Sequence, residues 1–206
     1  MVRRIQASPP RDLSVDTIVA AAVRILDDGG VEALSMRALA AALDRSHTAA
    51  YRHLGTKEEL LALASEAVQE DVDVANVGKG WDDRLRSIVR HGYVTCWSPH
   101  PWLADVLGRG VAEAAVATPK AERRNEVMRE IFREAGLVGD DIDRAILAHW
   151  VFILGTVAYE RQRRERSRES NMVKAVDGVF DFRLEAWIGG IQTLVHSRRK
   201  QAQRRR

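Results

Sequence analysis

Between Ser35 and Lys57 the chain gathers side chains suited to reading a polyanion. Arg52 can donate two parallel hydrogen bonds to a guanine edge, and Thr48 can reach a base edge or a thymine methyl. Tyr51 and His53 suit phosphate oxygens. If Ala50 and Leu54, four residues apart, turn inward, His47 is left outward beside Thr48, Tyr51 and Arg52, and the small Ala49 lets a helix approach closely. Arg37, Arg45 and Ser46 are further candidate contacts. Lys57 joins them from the first turn of a helix, where free N–H groups favour phosphate. The 35–57 stretch holds four basic residues and one acid, Asp44.

The elements that must position these groups are marked by their own ends. Ser14 and Ser35 are N-cap residues for a four-turn helix, stopped by Gly29-Gly30, and for a short one with Met36, Leu39, Ala40 and Leu43 inward. Asp44-Arg45-Ser46 is a tight turn, and Ser46 caps a helix over 47–54 that Gly55 ends. Thr56-Lys57-Glu58-Glu59 fits a capping box and predicts a helix over 57–75. Two short helices and a turn make a helix-turn-helix whose second helix fits a DNA major groove.

Beyond residue 75, helices are expected at 81–97, 101–115, 119–135, 140–165 and 180–199, with no strand-like alternation. Pro99 and Pro101 force a bend; Thr118-Pro119 is an N-cap and first turn, and Gly136 a terminator. His91, Tyr93, Trp97, Trp102, His149, Trp150, Phe152 and Tyr159 are candidate pocket groups, because helical ligand sites combine aromatic walls with a few polar atoms. His149 is the centre of that expectation, with Ile153 and Thr156 on the next turns. Core packing is the competing role for each. Gly155 and Gly189-Gly190 interrupt good helices at about 1 kcal/mol each relative to Ala, a cost that close helix contact offsets. With Trp187, Ile188, Ile191, Leu194 and Val195, the last helix is expected to join the 140–165 helix in a dimer four-helix bundle; packing within one subunit is the alternative.

Composition narrows the class. The 206 residues are 46% hydrophobic and 30% charged, the balance of a globular chain. The net charge of +3 divides into +2 over 1–57, −5 over 58–197 and +6 over 198–206, so a basic tail masks an acidic body. One cysteine, Cys96, excludes a disulfide framework, and no metal site is expected. Apolar stretches interrupted by charges suggest no membrane span, and the start of the chain does not read as a signal peptide, which together point to the cytoplasm. Serine-hydrolase, zinc-protease and phosphate-loop motifs are missing, and Gly108-Arg109-Gly110 lacks a third glycine, so neither an enzyme nor a cofactor is expected.

Ser35-x-Arg37-x-Leu39-Ala40, the turn, Ala49-Ala50-Tyr51-Arg52-His53-Leu54 and Gly55-Thr56-Lys57-Glu58-Glu59-Leu60-Leu61 together resemble the N-terminal domain of the tetracycline-repressor (TetR) family over residues 14 to about 68. Trp81, the HPWL at 100–103, REAGL at 133–137 and FRLE at 182–185 extend a weaker likeness into a tetracycline-repressor-like C-terminal half. The resemblance implies an all-α homodimer that binds a palindromic operator and releases it when a small molecule enters the C-terminal domain. Its organisation would be an arm (1–13), a helix-turn-helix DNA-binding domain (14–60), an effector-binding and dimerisation domain (61–197) and a basic tail (198–206). Two departures stand out. Asp44 replaces the usual turn glycine, a substitution Asp tolerates at positive φ. Val106 or Leu107 falls where the tetracycline repressor has its metal-binding histidine, so neither tetracycline nor a metal is expected. A constitutive or activating regulator without an effector, and a helical small-molecule-binding protein that does not act on DNA, are the alternatives.

Overall fold

The structure, a computed structural model, describes residues 14–44, 56–69, 80–108, 118–169 and 178–204. Eight α-helices make up these residues: α1 (Val15–Ala33), α2 (Met36–Ala42), α3 (Lys57–Ala67), α4 (Trp81–Gly92), α5 (Trp102–Gly108), α6 (Pro119–Ala135), α7 (Asp140–Glu169) and α8 (Val179–Arg204). The fold is all-α. The expected helix over 47–54 lies outside the described residues, as do Arg45, Ser46, His47, Thr48, Tyr51, Arg52 and His53.

Hydroxyl caps start α1, α2, α3 and α6 as the sequence predicts. Ser14 Oγ accepts from the Thr17 amide at 3.2 Å and Ser35 Oγ from that of Ala38 at 3.1 Å. At α3 the capping box is reciprocal: Thr56 Oγ1 accepts from the Glu59 amide at 3.1 Å, and Glu59 Oε2 from the Thr56 amide at 2.9 Å. Two orphan donors are thereby satisfied at one helix end. Regular α1 geometry breaks at Gly30, whose φ of 70° and ψ of −171° redirect the chain. Gly136 ends α6 at φ 100°, with its amide on Arg133 O at 2.9 Å and the Leu137 amide on Phe132 O at 3.0 Å, a Schellman closure.

Some boundaries differ from expectation. α3 ends at Ala67, capped by Val68, eight residues short of 75. The 81–97 helix divides into α4 and a π-helical turn, Tyr93–Trp97, in which the Ser98 amide reaches Tyr93 O at 2.8 Å. Pro99 and Pro101 follow directly, so the backbone widens where it must leave the helix. α7 continues through the charged 161–169 stretch. Over 140–163 it is long and apolar enough to cross a membrane by length and composition alone, which the sequence expectation did not allow. One side of it, Ile142, Ala145, Ile146, Ile153 and Val157, is buried in the protein core.

α1 packs on α2, α3 and α5, and α3 also touches α6. In the larger part, α4 packs between α6 and α8, while α7 lies against α5, α6, α8 and the π turn. The two parts share one apolar core, running from Ile18, Leu26, Leu39 and Leu60 through Leu85, Met128 and Ile131 to Ile153, Leu184 and Val195. Each fully buried aliphatic side chain contributes about 1.5–3 kcal/mol, so this core dominates the folding energy. Surface ion pairs add much less: the fork of Arg86 on Glu185, at 2.6 and 3.0 Å, ties α4 to α8, yet half-exposed pairs are worth about 0–1 kcal/mol.

Ile188, Ile191 and Val195 are 1, 6 and 5% exposed inside the subunit core, and Trp187 and Leu194 pack partly buried against it, the packing within one subunit that the sequence left as the alternative. Gly155 alone of that set is exposed. The C-terminal segment from 198 is not a free tail at its start. α8 continues to Arg204, Arg198 pairs with Asp141 at 2.7 Å, and Arg199 Nη2 donates to Ala135 O at 2.9 Å.

Candidate functional site

A narrow, partly open cleft with room for about one water molecule lies where five elements meet. Ser65 and Gln69 line it from α3 and the residues just after, Trp97 from the π turn, Leu103, Val106 and Leu107 from α5, Arg124 from α6 and Trp150 from α7. Trp97 and Trp150 meet edge to face, with centroids 5.9 Å apart at 74°, which sets two indole walls at a fixed angle. The π turn presents Trp97, and the helix break after it lets α5 close the far side.

The polar groups are few and under-used. Gln69 Nε2 donates to Ser65 O at 3.0 Å and to Thr118 Oγ1 at 3.2 Å. Because Ser65 O can only accept, the amide nitrogen must face it. Gln69 Oε1 is consequently left buried without a partner, as is Ser65 Oγ. Arg124 is 7% exposed, its Nε has no partner, and no carboxylate pairs with it among the described residues. Its guanidinium lies 5.4 Å from the centre of the Trp150 ring. Desolvation pulls its pKa below the usual arginine value, opposed by the nearby Cys96 thiol, but a guanidinium stays charged in proteins. Burying such an ion costs several kcal/mol, and a desolvated cation–π contact returns about 2. The charge is therefore only partly compensated by the protein.

His149, one turn from Ile153, is 4% exposed with Nδ1 unpartnered. Its ring lies beside Trp150 and Trp187, with centroids 5.5 and 5.7 Å away. Burial, reinforced by the positive charge of Arg124, lowers its pKa to about 3, so it is neutral near pH 7 and cannot act as the missing counter-charge.

The predicted pocket residues thus separate. Trp97 lines the cleft, and His149 is buried beside its Trp150 wall. Ile153 and Thr156 are buried at 1 and 4% on α7, and Phe152 stacks on Trp187 with centroids 5.5 Å apart; none of these three borders the cleft. His91 is exposed on α4 and does not line this cleft, because its position follows the solvent face of that helix. Trp102 is buried elsewhere: its Nε1 donates to Asp27 Oδ1 at 2.8 Å, and His100 Nδ1 meets the same oxygen at 2.7 Å. Those two contacts bind the α5 entrance to α1.

Ser65, Gln69 and Arg124 escaped sequence reasoning. Arg124 falls within AERRNE, which looks like a solvated charged face. Its register gives it away: Ala121, Arg124, Met128, Ile131, Phe132 and Ala135 form one buried stripe of α6, so an arginine occupies a core position.

α3 joins this cleft to α1. Lys57 is in its first turn and Ser65 in its last, about 12 Å apart at 1.5 Å per residue. Lys57 Nζ donates to Val31 O at 2.9 Å, which orders the ammonium beside the end of α1 and leaves two donors for other partners. Arg37 is exposed on α2. Asp44 adopts φ 50° after α2, the left-handed turn expected of it. At the other end of α3, the Lys120 amide donates to Glu66 Oε2 at 3.3 Å and Lys120 Nζ to Gln69 O at 2.7 Å, latching α3 to the start of α6.

With this arrangement, the comparisons define the class. The profile of the bacterial regulatory proteins of the tetR family matches residues 18–64. The HTH-type transcriptional repressor DrrR1 of Streptomyces coeruleorubidus is 30% identical over 175 residues, 84% of this chain and 63% of that protein. A TetR structure from Streptomyces coelicolor, the transcriptional regulator SCO7222, superposes with a TM-score of 0.62 at 27% identity, covering 90% of this chain and 96% of that one. The fold also matches the Streptomyces coelicolor TetR family protein ActR in complex with actinorhodin, with a TM-score of 0.69 at 23% identity over 89% of this chain and 98% of ActR. The chain belongs to the tetR family of transcription regulators. It spans about three fifths of the length of the curated relatives it matches.

Proposed function

We propose that this protein is a cytoplasmic, non-enzymatic repressor that binds a palindromic operator as a homodimer and leaves it when a small molecule occupies the cleft. One observation carries the reading: a single three-turn helix, α3, bears Lys57 at the end held against α1 and Ser65 at the end facing the cleft. A ligand wedged between α3, α6 and α7 would change how far α3 stands from the body, and the N-terminal unit would move with it. Such coupling works only to the extent that the ligand prefers one arrangement. A hundredfold loss of operator affinity asks for about 2.8 kcal/mol of preference, a modest demand for a buried ligand. The relatives support the direction: DrrR1 is named a repressor, and ActR is seen with a small molecule bound.

In this reading Arg37, Arg45, Ser46, His47, Thr48, Tyr51, Arg52, His53 and Lys57 form the DNA surface. Two copies of it, about one helical turn (about 34 Å) or somewhat more apart, would enter successive major grooves. Repression follows from occupying promoter DNA. The dimer face is the apolar side that α7 leaves exposed, Leu147 and Val151 (both 63%), Gly155 and Tyr159 at helical spacing, with Phe182 (77%) exposed on α8. Isolated exposed apolar residues are ordinary, but a stripe along one helix calls for a second copy.

The deciding experiment is a gel shift with the DNA flanking the protein's own gene, run across a salt series and repeated with candidate effectors. The expected result is a sequence-selective, salt-sensitive band that an effector abolishes. No selective band would refute action on DNA; a band that no cleft-binding molecule alters would leave a constitutive regulator.

A further inference from the structure

We propose that Asp27 and Asp105 are positioning residues that fix the separation of the two DNA-reading units in the dimer, and with it the half-site spacing the protein accepts. This rests on the reading of the protein as a dimer on a palindromic operator and adds how that geometry is held.

The N-terminal unit is tied to the body by polar contacts at two places. α3 is latched to α6 through Lys120, whose Nζ donates to Gln69 O at 2.7 Å. A unit held along one helix can still pivot about it, so a second tie is needed to fix its direction. α1 supplies that tie. Asp27 Oδ1 accepts from Trp102 Nε1 at 2.8 Å and from His100 Nδ1 at 2.7 Å; a carboxylate only accepts, so His100 Nδ1 is the donor. Apolar contact between α1 and α5 is non-directional and tolerates sliding, whereas two donors converging on one oxygen allow about 0.5 Å of play. Pro99 and Pro101 stiffen the segment that presents both donors, and Trp102 is 2% exposed, which holds the indole itself in place.

α5 is held in turn to α7, because Arg161 Nη1 donates to Asp105 Oδ2. α7 carries the exposed stripe of Leu147, Val151, Gly155 and Tyr159 assigned above to the second copy. The linkage therefore runs from α1 through Asp27 to α5, and from α5 through Asp105 to the helix that faces the partner subunit. One added base pair turns a half-site by about 35° and moves it by about 3.4 Å, which is beyond that play.

The test mixes the full chain, Asp27→Ala, Asp27→Asn and Asp105→Ala with a synthetic duplex pool of random sequence. Retained duplexes are sequenced, and affinities are measured for the enriched palindrome with its spacer one base pair longer or shorter. The parent chain should enrich one half-site sequence at one spacer length and bind the neighbouring spacers about tenfold more weakly, the loss expected of misplacing at least one base contact. Asp27→Ala and Asp105→Ala should enrich the same half-site but bind the neighbouring spacers to within about threefold of the best. Asp27→Asn, which keeps an acceptor oxygen, should restore most of the discrimination, and its failure to do so overturns the hydrogen-bond basis. A purely stabilising role would lower the melting temperature and leave spacer preference alone. If Asp27→Ala does not fold, Trp102→Phe, which keeps a ring and removes the donor, takes its place beside Asp105→Ala. A parent chain that enriches no palindrome sinks the operator reading and this linkage with it. A parent palindrome whose spacer preference survives the substitutions, or variants that enrich a different half-site, overturns the positioning role alone.

Discussion

His149 is neutral because the fold denies its proton both water and a partner, and the consequence is measurable. The unfolded chain takes up that proton as pH falls below about 6.5, while the folded chain does not until about pH 3. The extra proton on the unfolded side means that stability is full above pH 6.5 and falls as pH drops toward 3, by about 1.4 kcal/mol per unit. Urea denaturation at pH 7 and pH 5 should reveal this slope, and His149→Phe should flatten it; an unaltered slope in the variant would place the titration elsewhere. Asp44, at φ 50°, makes a second residue-level prediction. Asp44→Gly should change stability by less than about 0.5 kcal/mol, because relieved strain offsets added chain entropy. Asp44→Val should cost about 1–2 kcal/mol, since a β-branched side chain clashes in that region. Equal stability of the Val variant in urea would contradict the turn geometry.

At the scale of elements, α3 is short and must transmit force from both ends, so its caps matter more than its propensity. Thr56→Ala removes one half of the reciprocal cap and should cost about 1 kcal/mol, and a double-mutant cycle with Glu59→Ala should be non-additive. Additive losses would mean that the two halves do not support each other. Lys57 shares this first turn and is held at Val31 O. If it also reaches a phosphate, Lys57→Met should weaken binding to all DNA sequences and reduce the log–log salt slope by roughly 0.9. An unchanged slope alongside a lowered melting temperature would assign it to the α1–α3 contact alone.

For the whole molecule, the exposed stripe on α7, with Phe182 on α8, should decide oligomeric state. Leu147→Glu combined with Phe182→Glu changes residues 63 and 77% exposed in the subunit. Monomer stability should therefore move by no more than about 0.5 kcal/mol per site, while sedimentation should show dissociation and operator affinity should drop. Retention of the dimer would move the interface to another face. The sequence reading placed the interface on Gly155, Trp187, Ile188, Ile191, Leu194 and Val195, of which Ile188, Ile191 and Val195 are buried within the subunit. α8 carries apolar residues on two sides, and periodicity reports that a side is apolar without saying what covers it.

Local chemistry was legible from the chain alone. The hydroxyl caps at Ser14, Ser35, Thr56 and Thr118, the closure at Gly136, the positive φ at Asp44 and the all-α class follow from interactions that span five residues or fewer, which sequence spacing encodes directly. The cleft was legible only in part. Trp97 was foreseen by type, His149 lies buried beside the Trp150 wall without lining the cleft, and Arg124, Ser65 and Gln69 looked like surface residues until α3, α6 and α7 were brought together. A partner's presence or absence is a property of what packs opposite, across 49 residues for Gln69 and Thr118, and no local pattern records it. Charges and helix ends were thus determined by the sequence itself. Which arginine is buried without a counter-ion, and which apolar face stays bare, was decided by tertiary packing, because only packing removes water from one side of a helix and leaves it on the other.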